Sequence, residues 1–153
     1  MTVKLAAWLA TLAWLGAIAA FSTDTFSSAH TGSILKKIIE AVYGPISYHQ
    51  FEQFHFFIRK AAHFTVYGIL SWLAFLAWRS TLPAPRRWTL GWSGLAMTVV
   101  FVAASLDEFH QTFIPSRTGS SRDVMLDLIS AIFFQIVIAV FLRERQRDRD
   151  AIV

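Results

Sequence analysis

Apolar positions along the chain fall into four long runs. The first, Leu5 to Phe21, has no charge inside it. The second, from about Phe56 to Trp78, carries Arg59, Lys60 and His63 in its first turns and is apolar afterwards. The third starts near Trp88, continues into Asp107-Glu108-Phe109-His110-Gln111 and is stopped by Pro115, and the fourth covers about Asp123 to Leu142. At a rise of ~1.5 Å per residue, each run matches a hydrocarbon core of ~30 Å. Membrane spans are therefore predicted at about 5–21, 56–78, 88–110 and 123–142. Between the first two, Ile34, Leu35, Ile38, Ile39 and Val42 recur at helical spacing with Lys36, Lys37 and Glu40 opposite, and Gly44-Pro45 follows. That pattern predicts a short amphipathic helix on the membrane surface. Ser120 and Asp123 fit a capping pair at the start of the fourth span. The expected fold class is all-α: an integral membrane bundle of four transmembrane helices, with a short amphipathic interfacial helix between the first and second. Residues 1–153 are expected to form a single domain.

Composition points the same way. Apolar residues make up 55% of the chain and charged residues 16%, against ~25% charged in a typical soluble protein. The absence of Cys excludes disulfides, thiolate metal sites and a cysteine nucleophile. The net charge of +4 comes from basic residues that flank the apolar runs. Retention on the cytoplasmic side explains them, and there is no basic stripe or motif for nucleic acid. Four spans place both termini on one side. Lys4, Arg79, Arg86, Arg87, Arg143, Arg145, Arg147 and Arg149 share that side, against Lys36, Lys37, Arg59, Lys60, Arg117 and Arg122 on the other. The bias favours a multi-pass protein of the cell membrane with both termini cytoplasmic. Ala17-Ile18-Ala19-Ala20 also has the look of a signal-peptidase site. A retained first helix is favoured, because the run is long for a signal core and only Lys4 precedes it.

The polar residues are placed unevenly. Arg59, Lys60 and His63 open the second span; Asp107, Glu108, His110 and Gln111 close the third; Arg117 lies in the following loop; Asp123 and Asp127 open the fourth. Consecutive spans are antiparallel, so all these groups fall at one membrane face, extracytoplasmic in the orientation above. Lys60, His63 and Tyr67 share one helical stripe, Asp107, His110 and Gln111 a second, and Asp123, Asp127 and Ser130 a third. Charges left facing lipid cost a few kcal/mol each, so Arg59, Lys60 and Arg117 are expected to turn inward and pair with Asp107, Glu108, Asp123 and Asp127. Plainer roles exist for each residue. Arg59 and Lys60 can snorkel, although Lys60 shares the His63 stripe. His63 can satisfy itself on a neighbouring backbone. Asp107 and Glu108 can form a solvated helix end, a reading that suits Glu108 better than Asp107. Arg117 can be an ordinary loop residue, and Asp123 a first-turn acid stabilised by the helix dipole. His30, His49 and His55 read as surface residues.

At these residues the chain resembles the VanZ-like family of bacterial membrane proteins. The matching stretches are Arg59-Lys60-Ala61-Ala62-His63-Phe64-Thr65-Val66-Tyr67 and Ser105-Leu106-Asp107-Glu108-Phe109-His110-Gln111-Thr112-Phe113-Ile114-Pro115-Ser116-Arg117, followed by Asp123 and Asp127. The family pattern is K-x-x-H-x-x-x-Y, then D-E-x-x-Q-x-F-x-P-x-R, then D-x-x-x-[ND]. The resemblance covers the second to fourth spans. Ser116 and Ser130 stand where many members have glycine. The family takes its name from a member linked to resistance to the glycopeptide teicoplanin, and the resemblance implies no settled reaction.

Three function classes follow. In the first, a pocket at this face binds or modulates a membrane lipid or lipid-linked cell-wall component. Lys60, Tyr67, Gln111, Arg117 and Asp123 are then the ligand-binding residues, with Lys60 and Arg117 on phosphate, and Tyr67 packs on the acyl or sugar part. In the second, the protein is an enzyme acting on such a lipid, with His63 as general acid or base, oriented by Asp107 or Asp127, and Glu108 alongside. No cofactor is required, but His63, Asp107, Glu108 and Asp127 form a donor set that admits a divalent metal. The third is a small transporter or structural subunit; no repeated, broken helices support it. Oligomeric state is not legible.

Overall fold

The computed structural model describes residues 2–24, 28–82, 88–115 and 117–150, without the side chains of residues 28–31 and 144–150. Pro83, Pro85, Arg86, Arg87 and Ser116, and the side chains of His30, Arg145, Arg147 and Arg149, lie outside the described parts. The described residues form five helices: α1 (Val3–Phe21), α2 (Ser28–Tyr43), α3 (Tyr48–Thr81), α4 (Leu90–Gln111) and α5 (Ser121–Asp150). Four of them, α1, α3, α4 and α5 up to Arg143, are long and apolar enough to cross a membrane. The amphipathic α2 lies between the first two.

The largest departure from the sequence reading is α3. Its 34 residues begin eight positions before the predicted span, giving a length of ~51 Å against a ~30 Å hydrocarbon core. A complete capping box starts it: Ser47 Oγ accepts the Gln50 N–H at 3.3 Å, and Gln50 Oε1 accepts the Ser47 N–H at 2.9 Å. Hydropathy alone does not see this start, because Tyr48 to His55 is polar enough to read as a loop.

α3 is the hub. It packs against α1, α4 and α5, and α4 also packs on α5. Small residues permit close approach of these backbones. Ala74, Ala96, Ala104 and Ala131 are fully buried in the core between α3, α4 and α5. Gly68 lies against the Phe134 ring, where an added Cβ would overlap it. Tyr67, Leu70, Phe75 and Val100 fill the space beside them, while many other large apolar side chains face outward: Phe101 is 51% exposed and Ile136 57%. An apolar exterior with small residues at the helix contacts is the arrangement expected when lipid is the solvent.

α1 is fastened to α3 by two indoles. Trp8 Nε1 donates to Thr81 Oγ1 at 2.8 Å, and Trp14 Nε1 donates to the Val66 carbonyl at 2.9 Å. Trp8 also meets Trp78 edge-on at 5.0 Å, and Arg143 stacks over Trp88. Trp8, Trp78 and Trp88 mark the end of the bundle opposite the polar cluster, in the manner of an interfacial aromatic belt.

Candidate functional site

The polar stripe of α3 faces that of α5, and the two join rung by rung. Lys60 donates to one oxygen of Asp123, and Arg59 Nη2 donates to the other at 3.2 Å. One turn deeper, His63 Nδ1 lies 3.2 Å from Asp127 Oδ1. Next, the Ser130 hydroxyl donates to the Phe64 carbonyl. Deeper still, Ser71 Oγ donates to the Ala131 carbonyl at 3.2 Å, and Gln135 Nε2 donates to the Ser71 carbonyl at 3.0 Å and to Ser71 Oγ at 2.8 Å. Asp123, Asp127 and Ser130 are all buried, as their shared stripe requires. Ser71 and Gln135 were not singled out from the sequence. Ser71 continues the stripe of Lys60, His63 and Tyr67, whereas Gln135 lies off the stripe of Asp123, Asp127 and Ser130, and each is a single polar residue within an apolar run.

α4 brings the second set. The Tyr67 hydroxyl donates to Asp107 Oδ2 at 2.9 Å, and Gln111 Nε2 donates to the same oxygen at 3.2 Å. Asp107 therefore orients Tyr67 and Gln111, and among the described residues it is Asp127 that bonds His63. Tyr67 is 1% exposed, so it is a strut in the wall of the site and has no surface to offer an acyl chain at the rim. The order of Asp107 and Glu108 is also reversed from the sequence expectation. Glu108 is the buried acid, while Asp107 is half-buried and His110 exposed.

Glu108 owes its burial to the loop. Its Oε2 accepts the Ser120 N–H at 2.7 Å, while Ser120 Oγ accepts the Arg122 N–H at 3.2 Å. Ser120 thus caps α5 as expected, but the reciprocal acceptor is not Asp123, whose carboxylate is turned to Lys60 and Arg59. The neighbouring helix supplies it instead. Gly119 makes this approach feasible, since a Cβ there would overlap the Glu108 carbonyl and the Thr112 side chain.

Arg117 departs furthest from its expected partners. Its Nη2 donates to the carbonyls of Phe21 and Thr23 at 2.9 and 3.0 Å, holding the C-terminal end of α1, where helix carbonyls lack partners of their own. Burial lowers its pKa from the ordinary arginine value, and the positive charge of Arg59 acts in the same direction. The loop is set by tight turns: the amides of Phe113, Ile114 and Arg117 donate to the carbonyls of His110, Gln111 and Ile114.

Two cavities flank this network. One, of about 330 Å³, is walled by Ile18, Phe21 and Ser22 of the first helix and its end, and by Arg59, His63, Tyr67, Asp107, Gln111 and Arg117. The other, of about 490 Å³, is lined by Phe56, Arg59, Lys60, Ser120, Arg122 and Asp123. Lys60 faces the second cavity and Arg117 the first, so these two cations do not converge on one phosphate. In the first cavity's wall, Ser22 Oγ and Arg117 Nε are buried with no hydrogen-bond partner among the described residues. Of the four metal donors named from the sequence, three gather: one ligand atom each from His63, Glu108 and Asp127 lie within 4.8 Å of one another. Asp107 is not in that group.

Four apolar helices with ionisable residues collected at one end define a multi-pass membrane protein of all-helical class. A family model described as VanZ/LLP1 matches residues 7–143, and the chain belongs to that family. The match begins inside α1, so the first helix is part of the family unit, although the recognisable motifs lie on the later helices. Comparisons with curated proteins and with solved structures gave no match.

Proposed function

We propose that the protein binds the anionic headgroup of an envelope lipid or lipid-linked cell-wall component in the cavity between α1, α3 and α4. One observation carries the reading: that wall holds buried polar atoms on Ser22 and Arg117 with no partner among the described residues, beside Arg59. Donors without partners in a partly dehydrated, cationic wall favour a ligand rich in acceptors, and phosphate is the commonest such group at a membrane surface. Arg59 and Arg117 are the phosphate-facing residues in this reading, with Gln111 and the free side of Asp107 toward sugar hydroxyls. Lys60 and Asp123 hold α3 to α5 beside the cavity. The site faces the extracytoplasmic side, with both termini cytoplasmic. Reporter fusions at residue 150 and in the loop near Thr118 should report opposite sides.

Native mass spectrometry with phosphatidylglycerol or a polyprenyl phosphate as probe tests the binding. Arg59→Gln and Arg117→Gln should each weaken capture at least ten-fold, and neutral phosphatidylcholine should bind poorly. Equal capture of the neutral lipid would refute the reading. Involvement in teicoplanin-type resistance would appear as a changed inhibitory concentration on expression, lost with Arg117→Gln.

A second reading, a lipid headgroup hydrolase or transferase, has its own support. His63 lines the cavity while Asp127 orients it through Nδ1, an arrangement suited to a general base. His63→Ala should then retain lipid and lose headgroup turnover.

A further inference from the structure

We propose that His63, Glu108 and Asp127 form a binding site for a single divalent transition-metal ion. The proposal is independent of the headgroup reading and concerns a different set of atoms. The three residues come from α3, α4 and α5, and a ligand atom of each lies within 4.8 Å of the other two. Metal–ligand bonds of ~2.0–2.2 Å in tetrahedral geometry place donors about 3.4 Å apart. One pair already has that spacing, since His63 Nδ1 and Asp127 Oδ1 are 3.2 Å apart.

Charge and hydrogen bonding supply the independent argument. Glu108 is 5% exposed and Asp127 fully buried. No Lys or Arg pairs with either among the described residues, because Lys60 and Arg59 are engaged by Asp123 and Arg117 bonds to main-chain carbonyls. One oxygen of Glu108 holds the Ser120 N–H, and the other, Oε1, is buried without a partner among the described residues. A buried carboxylate oxygen left unmatched in a membrane segment is costly, and such acids pair with a cation or line a functional pathway. Two carboxylates and a neutral imidazole sum to the charge that a divalent ion cancels. Mixed imidazole and carboxylate ligation favours zinc, manganese or iron over calcium or magnesium. Three protein ligands leave a coordination position for water or for a group entering from the cavity that His63 lines. The Ser120 N–H on Glu108 has the geometry of an outer contact that orients a ligand.

The test uses the full chain, purified in dodecyl maltoside without added lipid, stripped with chelator and titrated with Mn²⁺. About one ion per chain is expected. Glu108→Gln and Asp127→Asn should weaken binding at least ten-fold, and Glu52→Gln, an exposed acid on α3, should not. Pulsed electron paramagnetic resonance of the loaded wild type should show coupling to one imidazole nitrogen, lost in His63→Gln. Absence of saturable binding by the wild type would overturn the proposal, as would a bound ion without nitrogen coupling or unchanged affinity in the two acid variants. The wild-type spectrum decides the matter even where a variant fails to fold. Because no lipid is present, a negative result leaves the headgroup reading standing.

Discussion

Replacing Glu108 by Ala should loosen the start of α5 far more than it destabilises the bundle. The Glu108 carboxylate accepts the Ser120 N–H at 2.7 Å, a short bond in which the acceptor carries charge. Bonds of that kind contribute ~1.5–3 kcal/mol, and leaving the amide buried and unpaired costs a similar amount. Local opening of residues 117–124 should therefore become easier by about 1.5–3 kcal/mol. At ~1.4 kcal/mol per decade, this is roughly a ten- to hundred-fold rise in amide exchange. Global stability should change less, because the substitution also removes a buried oxygen that has no partner among the described residues. Glu108→Gln retains a neutral acceptor, so its exchange should rise by less than ten-fold. Hydrogen–deuterium exchange on peptides covering Gly119 to Val124, in metal-free detergent, reads both effects. If the Ala variant exchanges as the wild type does, or if Gln and Ala behave alike, the cap donated by the neighbouring helix is not what holds this loop.

Other perturbations have expected outcomes. Gly119→Ala should cost about 1–3 kcal/mol, since its Cβ would overlap the Glu108 carbonyl and Thr112 side chain; reversible unfolding in mixed micelles measures it. Asp123→Ala leaves Lys60 and Arg59 without their shared acid. The cost should be about 2–3 kcal/mol in the same assay, below the ~3–5 kcal/mol of a fully buried pair, because both cations keep some solvent access. Lys60→Ala should cost less than Asp123→Ala, because Arg59 still holds the carboxylate. Gln135→Leu should lose only ~0.6–1.7 kcal/mol, from the average to the largest value measured for hydrogen bonds between helices in a bilayer.

Helix count, the surface helix and the gathering of polar groups at one face were all readable from the sequence, for a common reason. Each depends on periodicity and on the antiparallel threading that a bilayer imposes, and both are local properties of the chain. Partner choice was not readable in the same way. Asp107 and Glu108 are adjacent in sequence and so about 100° apart around a helix. Which of them is buried depends on the rotation of α4, and the contact of Gly119 with the last turn decides it. Arg117 was expected to seek an acid, but the carbonyl end of α1 lies closer, and no pattern on the later helices reports where α1 ends. Ser22 entered the site by the same route. Apolar content hid Gln135 and Ser71, since one amide and one hydroxyl hardly change the hydropathy of a span.

The uninterrupted length of α3 has a mechanical consequence. From Tyr48 to Tyr67 the chain has neither glycine nor proline, so the helix has no joint between its outermost turns and the residues that face Asp123 and Asp127. Tyr43 of α2 stacks on Phe54 at 5.4 Å, which ties the surface helix to that outer segment. A push, tilt or twist applied to α2 from above the membrane would travel down α3 as a stiff lever and arrive at Lys60 and His63 as displacement of the side chains themselves.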